Sequence, residues 1–390
     1  MTDRRFDVVV VGGGINGSGV AQAAAAAGHS VLLLEKSSLG EGTSSRSSKL
    51  IHGGLRYLES YEFSMVRESL AERALLLRNA PDLVRLVDFH IPVYRETRRP
   101  PWLVRLGLSL YAVLGGLSAE TRFQTVPRSS WDTLDGLQTN NLLKVFKYRD
   151  AQTDDRALTK AVMSSAVSLG AELACPAEFV AAEITENAVA VTYEISGQQQ
   201  SCQARVLVNA AGPWVNHVAD RLGSGMPQQE IELVQGSHIE LNGSLQRGIY
   251  YMESRRDGRA VFVMPWRDRI AVGTTETRFK GDPDHVVPLR SEKRYLLEVF
   301  RNHFPAYRNA HIEAAWAGLR VLPAGKGHAF HRSRETILVT DRPDKPRVLS
   351  IYGGKLTTYR STALKVLKQL EGSLPPGTAL ADTAELPLKP

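Results

Sequence analysis

The chain has 390 residues, which is too long for one simple hydrophobic core and fits two interleaved domains. Hydrophobic residues make up 43% and charged residues 23%, and the net charge of +7 favours an anionic small substrate first and a membrane surface second, over nucleic acid. The two cysteines lack metal-ligand spacing, and we find neither a signal peptide nor a run of ~18 apolar residues, so we expect no metal site, no spanning helix and a cytoplasmic protein.

The first 34 residues predict a strand–helix–strand unit. Phe6–Val11 is an apolar, β-branched run that is typical of a buried parallel strand. A glycine cluster follows, and then the Ala-rich segment Val20–Ala27 predicts a helix that ends at Gly28. Ser30–Leu34 is the next buried strand. This order is that of a βαβ unit.

The glycine cluster forms a G-x-G-x-x-G motif between the first strand and the helix. Gly12 permits a tight turn, Gly14 lets the backbone approach a pyrophosphate, and Gly17 lets helix and strand pack closely. Glu35 ends the second strand, where a carboxylate accepts ribose hydroxyls and disfavours the 2′-phosphate of NADP. FAD and NAD both remain open at this point. The predicted cofactor residues here are Gly12, Gly14, Ile15, Asn16, Gly17, Glu35 and Lys36.

The segment 42–57 favours FAD. It combines hydroxyl, small and basic residues directly after the βαβ unit, and such a chain can lie along a pyrophosphate and a flavin ring. The alternative is a flexible Ser-rich linker, which we disfavour because the following His-Gly-Gly-Leu-Arg-Tyr run needs burial. The predicted cofactor residues are Thr43, Ser44, Ser45, Ser48, Lys49, Leu50, His52, Gly53 and Gly54.

Three later segments predict helices. Tyr61–Asn79 has the spacing of a long surface helix, and Asp154–Leu169 is a helix capped by Asp154 and closed by Gly170. Arg98–Leu117 is rich in Trp, Leu and Val with basic residues. We favour a helix that packs on the second domain, and the alternative is a basic, apolar element at a bilayer surface.

The remaining elements predict discontinuous domains. Short strands between residues 232 and 275 indicate an antiparallel sheet, and Val348–Leu370 returns to a strand, a glycine pair and a helix. We predict an α/β fold in which an FAD/NAD(P)-binding, Rossmann-like three-layer domain is interleaved with an antiparallel β-sheet substrate domain that carries helices. The predicted FAD-binding domain comprises residues 1–80, 151–225 and 325–372, the substrate-binding domain 81–150 and 226–324, and a loose C-terminal tail 373–390.

Several motifs occur together along the chain. They are GGGINGSG (12–19), TSSRSSKLIHGGLRY (43–57), NAAGPW (209–214), GSHI (236–239), GTT (273–275), GLR (318–320) and GGKLTTYR (353–360). In this combination and order the chain resembles the FAD-dependent glycerol-3-phosphate dehydrogenase family, within the D-amino-acid-oxidase-like superfamily. It departs in two ways: bacterial members usually carry a further helical domain after the position of Pro390, and Val321 follows the GLR arginine.

The resemblance implies a reaction. It is the oxidation of sn-glycerol 3-phosphate to dihydroxyacetone phosphate in glycerol metabolism, by hydride transfer from C2 to N5 of bound FAD. It also implies a quinone-type electron acceptor, while oxygen remains open, and peripheral contact with the inner face of the cytoplasmic membrane. A homodimer is also left open.

The resemblance also implies site residues. A phosphorylated polyol needs cations that bind a dianion. The predicted substrate residues are Arg56, Tyr57, Arg320, Arg334, Lys355 and Thr357, with Arg332 competing for the role of Arg334. The predicted catalytic residues are His238, Arg320 and Lys355, with His238 and Lys355 as rival general bases.

The C-terminal motifs add cofactor contacts. Small residues in NAAGPW let the backbone approach FAD, and Gly353 and Gly354 precede a helix whose N–H groups stabilise negative charge on the reduced flavin. The predicted contacts are Ala211, Gly212, Trp214, Gly354, Lys355, Leu356 and Thr357. Two alternatives remain for the whole chain: a flavoenzyme of the same fold that acts on an amine or a 2-hydroxy acid, and a non-catalytic FAD-binding protein.

Overall fold

The computed structural model describes residues 4–223, 226–324 and 336–390. Within these ranges the helices are α1 (Ile15–Ala26), α2 (Phe63–Asn79), α3 (Pro101–Leu114), α4 (Asp155–Ser168), α5 (Val215–Asp220), α6 (Arg290–His303) and α7 (Tyr359–Leu370). The strands are β1 (Arg5–Val11), β2 (Val31–Leu34), β3 (Leu50–Ile51), β4 (Val84–Tyr94), β5 (Gln124–Thr125), β6 (Leu142–Thr153), β7 (Glu172–Ala174), β8 (Glu178–Ile184), β9 (Val189–Ile195), β10 (Gln198–Asn209), β11 (Ile231–Leu241), β12 (Ile249–Glu253), β13 (Ala260–Trp266), β14 (Arg269–Gly273), β15 (Thr277–Phe279), β16 (Ile312–Pro323), β17 (Ile337–Thr340) and β18 (Val348–Tyr352).

The first sheet runs in the order β17-β18-β10-β1-β2-β7, and an antiparallel extension of β8 and β9 continues from β10. Strand β1 is central and pairs in parallel with β2 and β10. Val8, Val9 and Val10 are fully buried because helices or other strands cover both faces of the sheet. A sheet covered on both faces selects continuous apolar strands, as the sequence predicted.

Helix α1 packs between α4 and α7 on one face of this sheet. It begins at Ile15, five residues before the predicted start, because the glycine motif itself forms the first helical turn. Gly19 faces the ring of Tyr359 on α7, where an added Cβ would lie 2.6 Å from the ring. A glycine is unfavourable inside a helix, and here close packing between the two helices requires it.

The second sheet runs in the order β15-β11-β14-β13-β12-β4-β6-β3, with β16 paired to β11 and β5 to β6. Its pairs are antiparallel except for β12 with β4, and α6 packs against β11 and β14. Strand β3 (Leu50–Ile51) pairs with β6 in this sheet, although its residues fall in the predicted FAD-binding segment 1–80. The predicted domain boundaries remain a prediction.

Helices α2 and α3 lie beside the second sheet. Helix α2 is buried along one face, including Arg73 at 1% exposure, so the predicted surface helix is exposed only on its other face. On α3, Tyr111 is buried, whereas Trp102 is 67% and Leu106 58% exposed. The packed helix that the sequence favoured therefore also presents an apolar outer face. In the described part of the chain, no helix has both the length and the apolar character that crossing a bilayer requires.

The C-terminal segment contradicts the prediction of a loose tail. The backbone N–H of Leu380 donates to the Ala26 carbonyl at the end of α1, and that of Leu388 donates to the Asn79 carbonyl at the end of α2. The Leu388 side chain is 4% exposed. Residues 374–390 contain little regular structure, yet they pack on two helix ends, because long-range contacts replace the local hydrogen bonds of a helix or strand.

Candidate functional site

One elongated cavity of about 710 Å³ collects most of the predicted site residues. Its walls come from the turn after β1, the segment 42–57, the turn after β10, strands of the second sheet, and the turn after β18. This volume lies in the range of cofactor and ligand sites in proteins.

The glycine turn forms one end of the cavity. Gly12 has φ +109° and Gly14 precedes the first residue of α1, so the open N-terminus of the helix points its N–H groups at this end. Gly17 does not line the cavity. An added Cβ at Gly17 would lie 1.9 Å from the Gly12 carbonyl oxygen, which agrees with the predicted packing role and not with a cofactor contact.

Glu35 lies beside this turn. One carboxylate oxygen accepts from the backbone N–H of Gly13 at 2.7 Å, and the other accepts from that of Ser37 at 2.8 Å. The side chain also lines the cavity. The two backbone donors fix the carboxylate at the position predicted for ribose binding.

Lys36 and Trp214 both line the cavity, and they also contact each other. The Lys36 Nζ lies 4.1 Å from the Trp214 ring centroid and 2.6 Å from Asp284 Oδ1, while the Trp214 Nε1–H donates to the same carboxylate. Asp284 belongs to the connection between β15 and α6. These contacts link the two sheets across one side of the cavity.

The segment 42–57 lines the cavity only in part. Thr43, Ser44, Ser48, Leu50, His52 and Gly54 are lining residues. Ser44 accepts a hydrogen bond from the Ile15 backbone N–H and so fixes the segment against the start of α1. Ser45 and Lys49 do not line it. The buried Lys49 Nζ lies 2.6 Å from Asp155 Oδ1 and donates to the Ser45 carbonyl, so the Lys49 side chain has structural partners, while the cofactor role of both residues stays a prediction.

Gly53 is another predicted cofactor residue that packs against the protein, and its cofactor role stays a prediction. Its backbone N–H donates to the Tyr111 hydroxyl at 2.9 Å, and an added Cβ would lie 2.5 Å from that oxygen and 2.6 Å from Leu70. The residue faces helices α2 and α3 and does not line the cavity. A glycine is required here by protein packing.

The turn after β18 lies against the start of α1, next to the glycine turn. The Asn16 side-chain amide donates to the Gly353 carbonyl at 3.1 Å, and Gly354 has φ +103° with Asn16 directly beside it. Helix α7 begins only at Tyr359, so the predicted helix N-terminus does not follow the glycine pair directly. Lys355, Leu356 and Thr357 form the turn between them and line the cavity.

The second motif of cofactor contacts lies where β10 ends. Ala211, Gly212 and Trp214 line the cavity, and Gly212 has φ +55°. The Asn209 side-chain amide donates to the Val215 carbonyl at 2.8 Å and so holds the turn closed. Small residues here bring the backbone to the cavity, as the sequence predicted.

Three of the predicted cations line the same cavity. The Arg56 guanidinium carbon lies 5.3 Å from the Tyr57 ring centroid, and the Lys355 Nζ lies 4.0 Å from that centroid. Arg320 donates to the Thr275 carbonyl at 2.8 Å and lies 3.5 Å from Glu276. Arg334 and its rival Arg332 lie outside the described residues.

Glu276 holds Arg320 together with a second arginine. Its carboxylate is 5% exposed and lies 2.9 Å from Arg259. Because two guanidinium groups share one buried carboxylate, Arg320 is fixed in position while the group of three residues keeps a net positive charge. Glu276 and Arg259 were not predicted as site residues, since Glu276 and Arg320 are separated by 44 residues.

His238 lies on β11 beside Arg320. Its Nε2 atom is 3.0 Å from the Ser48 hydroxyl, and its ring is 2% exposed. Burial, together with the nearby charges of Lys49 and Arg320, lowers the pKa of His238 to about 3. The imidazole is therefore neutral at physiological pH. It lines the cavity, so a hydroxyl group of a bound ligand can approach it.

An aromatic wall, defined as Phe89, Tyr148, Tyr251 and Phe262, was not predicted. The four side chains come from four strands of the second sheet and all line the cavity. Phe262 packs edge-on against Phe89 and Tyr251. The four residues are far apart in the sequence, and the pairing of β4 with β6, of β12 with β4 and of β12 with β13 places them together.

The residues present fit FAD. Backbone N–H groups at the start of α1 suit a diphosphate, the Glu35 carboxylate suits a ribose, and the glycines at 353 and 354 with the aromatic wall suit a flat ring system. Among the residues that the structure describes, no three His, Cys, Asp or Glu side chains come together as metal ligands.

Comparison with known families agrees with this fit. The profile of the family described as FAD dependent oxidoreductase matches residues 7–360. The chain belongs to the FAD-dependent oxidoreductase family. The predicted cofactor, FAD, is thereby confirmed, as is the prediction of an oxidoreductase.

Two curated relatives cover most of the chain. The aerobic glycerol-3-phosphate dehydrogenase of Escherichia coli is 39% identical over 379 residues, covering 93% of this chain and 73% of that protein. The D-erythritol 1-phosphate dehydrogenase of Brucella abortus is 36% identical over 379 residues, covering 95% and 74%. The resemblance inferred from the motifs is confirmed by these matches.

A solved structure has the same fold. The glycerol-3-phosphate dehydrogenase of Bacillus halodurans, in complex with FAD, superposes with a TM-score of 0.74 at 26% identity, covering 100% of this chain and 68% of that one. The predicted fold class, an FAD-binding α/β fold with a second, sheet-based part, is confirmed.

Proposed function

We propose that this protein oxidises sn-glycerol 3-phosphate to dihydroxyacetone phosphate with FAD as its cofactor. The observation that carries the proposal is the placement of Arg56, Lys355 and Arg320 with His238 in one cavity beside the FAD-binding turn. The names of the relatives support this choice of substrate.

The cations match the charge of a phosphate monoester. Arg56 and Lys355 both lie near the ring of Tyr57, so they place two positive charges in the same part of the cavity, which suits a bound anionic group. Charge-assisted hydrogen bonds of this kind are stronger than neutral ones and orient the ligand. We assign Arg56 and Lys355 to the phosphate and Arg320 to the oxygen at the reacting carbon, next to His238.

The hydroxyl proton of the substrate needs an acceptor. We propose that His238 Nε2 accepts this proton. The proton reaches Nε2 either by way of the Ser48 hydroxyl or directly, when the substrate hydroxyl replaces Ser48 as the hydrogen-bond partner. A pKa near 3 makes His238 a weak base before substrate binds, and the negative charge of a bound phosphate offsets the effect of Arg320. Lys355 remains the rival base.

Bound FAD supplies the two-electron acceptor for this oxidation. The turn at 12–16, Glu35, Ser44 and the turn at 353–357 would hold it. The aromatic wall excludes water from the reacting end, which strengthens the interaction between the cations and the substrate.

The final electron acceptor and the membrane contact are further parts of the proposal. A quinone lies in the bilayer, and the outer face of α3 with exposed Trp102, Leu106 and Val113 suits an interfacial position. Sedimentation with vesicles that contain anionic lipid, compared between the wild type and a Trp102→Ser/Leu106→Ser variant, tests the contact. Equal binding of both proteins would contradict a role for α3.

An anaerobic titration tests the reaction. The oxidised flavin absorption band of the purified protein should bleach stoichiometrically with sn-glycerol 3-phosphate. Arg320→Ala and Lys355→Ala should keep bound FAD and lose bleaching at substrate concentrations that saturate the wild type. Arg269→Ala, which removes a guanidinium paired with Glu240 on the same sheet, is the matched control and should bleach normally.

The same titration separates the alternatives. D-erythritol 1-phosphate, the substrate named for the Brucella relative, is the second candidate and shares the phosphate. If an amine or a 2-hydroxy acid bleaches the flavin and neither phosphate ester does, the substrate proposal is wrong. If no compound bleaches it, the protein binds FAD without this chemistry.

A further inference from the structure

A buried polar network lies behind the segment 52–57, on the side away from the cavity. The Tyr111 hydroxyl of α3 donates to Asp150 at 2.7 Å, and Arg73 of α2 donates to the other oxygen of that carboxylate at 2.6 Å. All three side chains are at most 1% exposed. The ion pair compensates the buried charges, as such a site requires.

This hydrogen-bond network reaches the backbone of the segment 52–57 at Gly53. Since the Tyr111 hydroxyl gives its hydrogen to Asp150, its oxygen is available as an acceptor, and the Gly53 N–H donates to it at 2.9 Å. The Gly53 backbone also interacts with the Asp150 carboxylate. Burial and Asp150 raise the pKa of Tyr111 well above its usual value, so the hydroxyl stays protonated.

The adjoining residues belong to the cavity. The His52 N–H donates to the Thr357 hydroxyl at 3.2 Å, so two successive N–H groups are held from opposite sides, by Thr357 and by Tyr111. Gly54 then turns the chain with φ +77°, and the short helix Leu55–Ser60 that carries Arg56 and Tyr57 follows directly. Any shift of Gly53 moves both of these residues.

We propose that Tyr111 is a positioning residue of the site. Its hydroxyl, oriented by the Asp150–Arg73 ion pair, fixes the Gly53 N–H and thereby the place of Arg56 and Tyr57 in the cavity. Tyr111 itself does not line the cavity. The kinetic test of this inference rests on the proposed function, because the proposed function assigns Arg56 to the substrate phosphate.

The test is the substitution Tyr111→Phe, which removes one oxygen and keeps the ring. Steady-state kinetics with a dye acceptor should show a KM for sn-glycerol 3-phosphate raised about tenfold, as expected for one misplaced charge-assisted contact, with kcat within about threefold of the wild type. The oxidised flavin spectrum should also shift, since His52 and Gly54 line the cavity.

Tyr94→Phe is the matched control. Tyr94 ends β4 in the second sheet and is buried, its hydroxyl donates to the Gln138 carbonyl at 2.8 Å, and it is not part of the cavity. It should leave KM and the flavin spectrum unchanged. A wild-type KM in Tyr111→Phe, or an equal rise in Tyr94→Phe, would overturn the proposal.

A substrate-free measurement keeps the two proposals distinct. If the wild type is not bleached by glycerol 3-phosphate, the proposed function fails, and FAD affinity then tests Tyr111 alone. Weaker FAD binding in Tyr111→Phe than in Tyr94→Phe supports the positioning role. Equal FAD binding and equal flavin spectra in both variants refute it.

Discussion

The imidazole ring of His238 lies parallel to the indole of Trp316, with ring centroids 4.9 Å apart and an angle of 4° between the planes. The Lys49 Nζ lies 5.4 Å from the Trp316 ring centroid on this side of the cavity. Burial of the imidazole, together with the positive charges of Lys49 and Arg320, lowers its pKa. The proposed base is therefore preset in its neutral form.

The first prediction concerns the pH dependence of turnover. Because burial lowers the pKa of His238 to about 3, kcat/KM should show no loss from protonation of this residue between pH 5 and 8. A descending acid limb that is centred near pH 6.5 and absent in His238→Gln would contradict this expectation. In the same experiment His238→Gln should lower kcat by about 100-fold or more and keep FAD bound.

The second prediction concerns the anchor of Arg320. Glu276→Gln removes the charge that Arg320 and Arg259 share, so Arg320 loses its fixed position and the KM for the substrate should rise about tenfold. Glu276→Asp should recover part of this loss. The control is Glu240→Gln, which breaks the ion pair with Arg269 on the same sheet. If both Gln variants raise KM equally, the effect is a general one on the sheet.

The third prediction concerns acid stability. Burial lowers the pKa of His90 and of His303 to about 4, from the ordinary value of 6.5. Below pH 6.5 these two histidines bind protons in the unfolded chain but not in the folded chain. The free energy of unfolding should therefore fall as the pH drops from 6.5 toward 4. Each histidine contributes about 1.4 kcal/mol per pH unit in this window and nothing above it.

Urea denaturation at several pH values measures this slope. His90→Gln should lower the free energy of unfolding at every pH, because the His90 ring stacks on Tyr250. Between pH 6.5 and 4, the pH dependence of this free energy should become shallower by up to about 1.4 kcal/mol per pH unit, which is the contribution of one proton. An unchanged slope in this variant would show that His90 is protonated in the folded protein.

The fourth prediction concerns the C-terminal segment. Leu388 is 4% exposed and packs in a cluster with Ile15, Leu76 and Tyr359, so Leu388→Ala should lower the free energy of unfolding by about 2–3 kcal/mol. Leu380→Ala is the control, because Leu380 is 60% exposed and should change stability by less than about 0.5 kcal/mol. Equal effects would mean that the segment is not docked in solution.

Local patterns predicted the fold well. Burial on both faces makes β1 a continuous apolar run, and the Asp154 cap accepts from the N–H groups of Arg156 and Ala157 as the sequence indicated. These features depend on neighbours within a few residues. The family motifs then identified most of the residues that line the cavity.

Two predicted cofactor residues that do not line the cavity, Lys49 and Gly53, have partners far away in the sequence. Lys49 pairs with Asp155 across 106 residues, and Gly53 contacts Tyr111 across 58. Nothing near either residue distinguishes a cofactor contact from a structural one, because both lie in a run of small and basic residues. The docked tail was missed for the same reason, since its partners are the ends of α1 and α2.

The hydrogen bond from Asn16 to Gly353 spans 337 residues, and the central strand β1 pairs with β10, which in turn pairs with β18. During synthesis the N-terminal glycine turn is exposed long before its opposite wall has been made. The flavin pocket can therefore close only after residue 353 has left the ribosome. Insertion of the cofactor is then a late event in synthesis, and a chain truncated before residue 353 should be colourless.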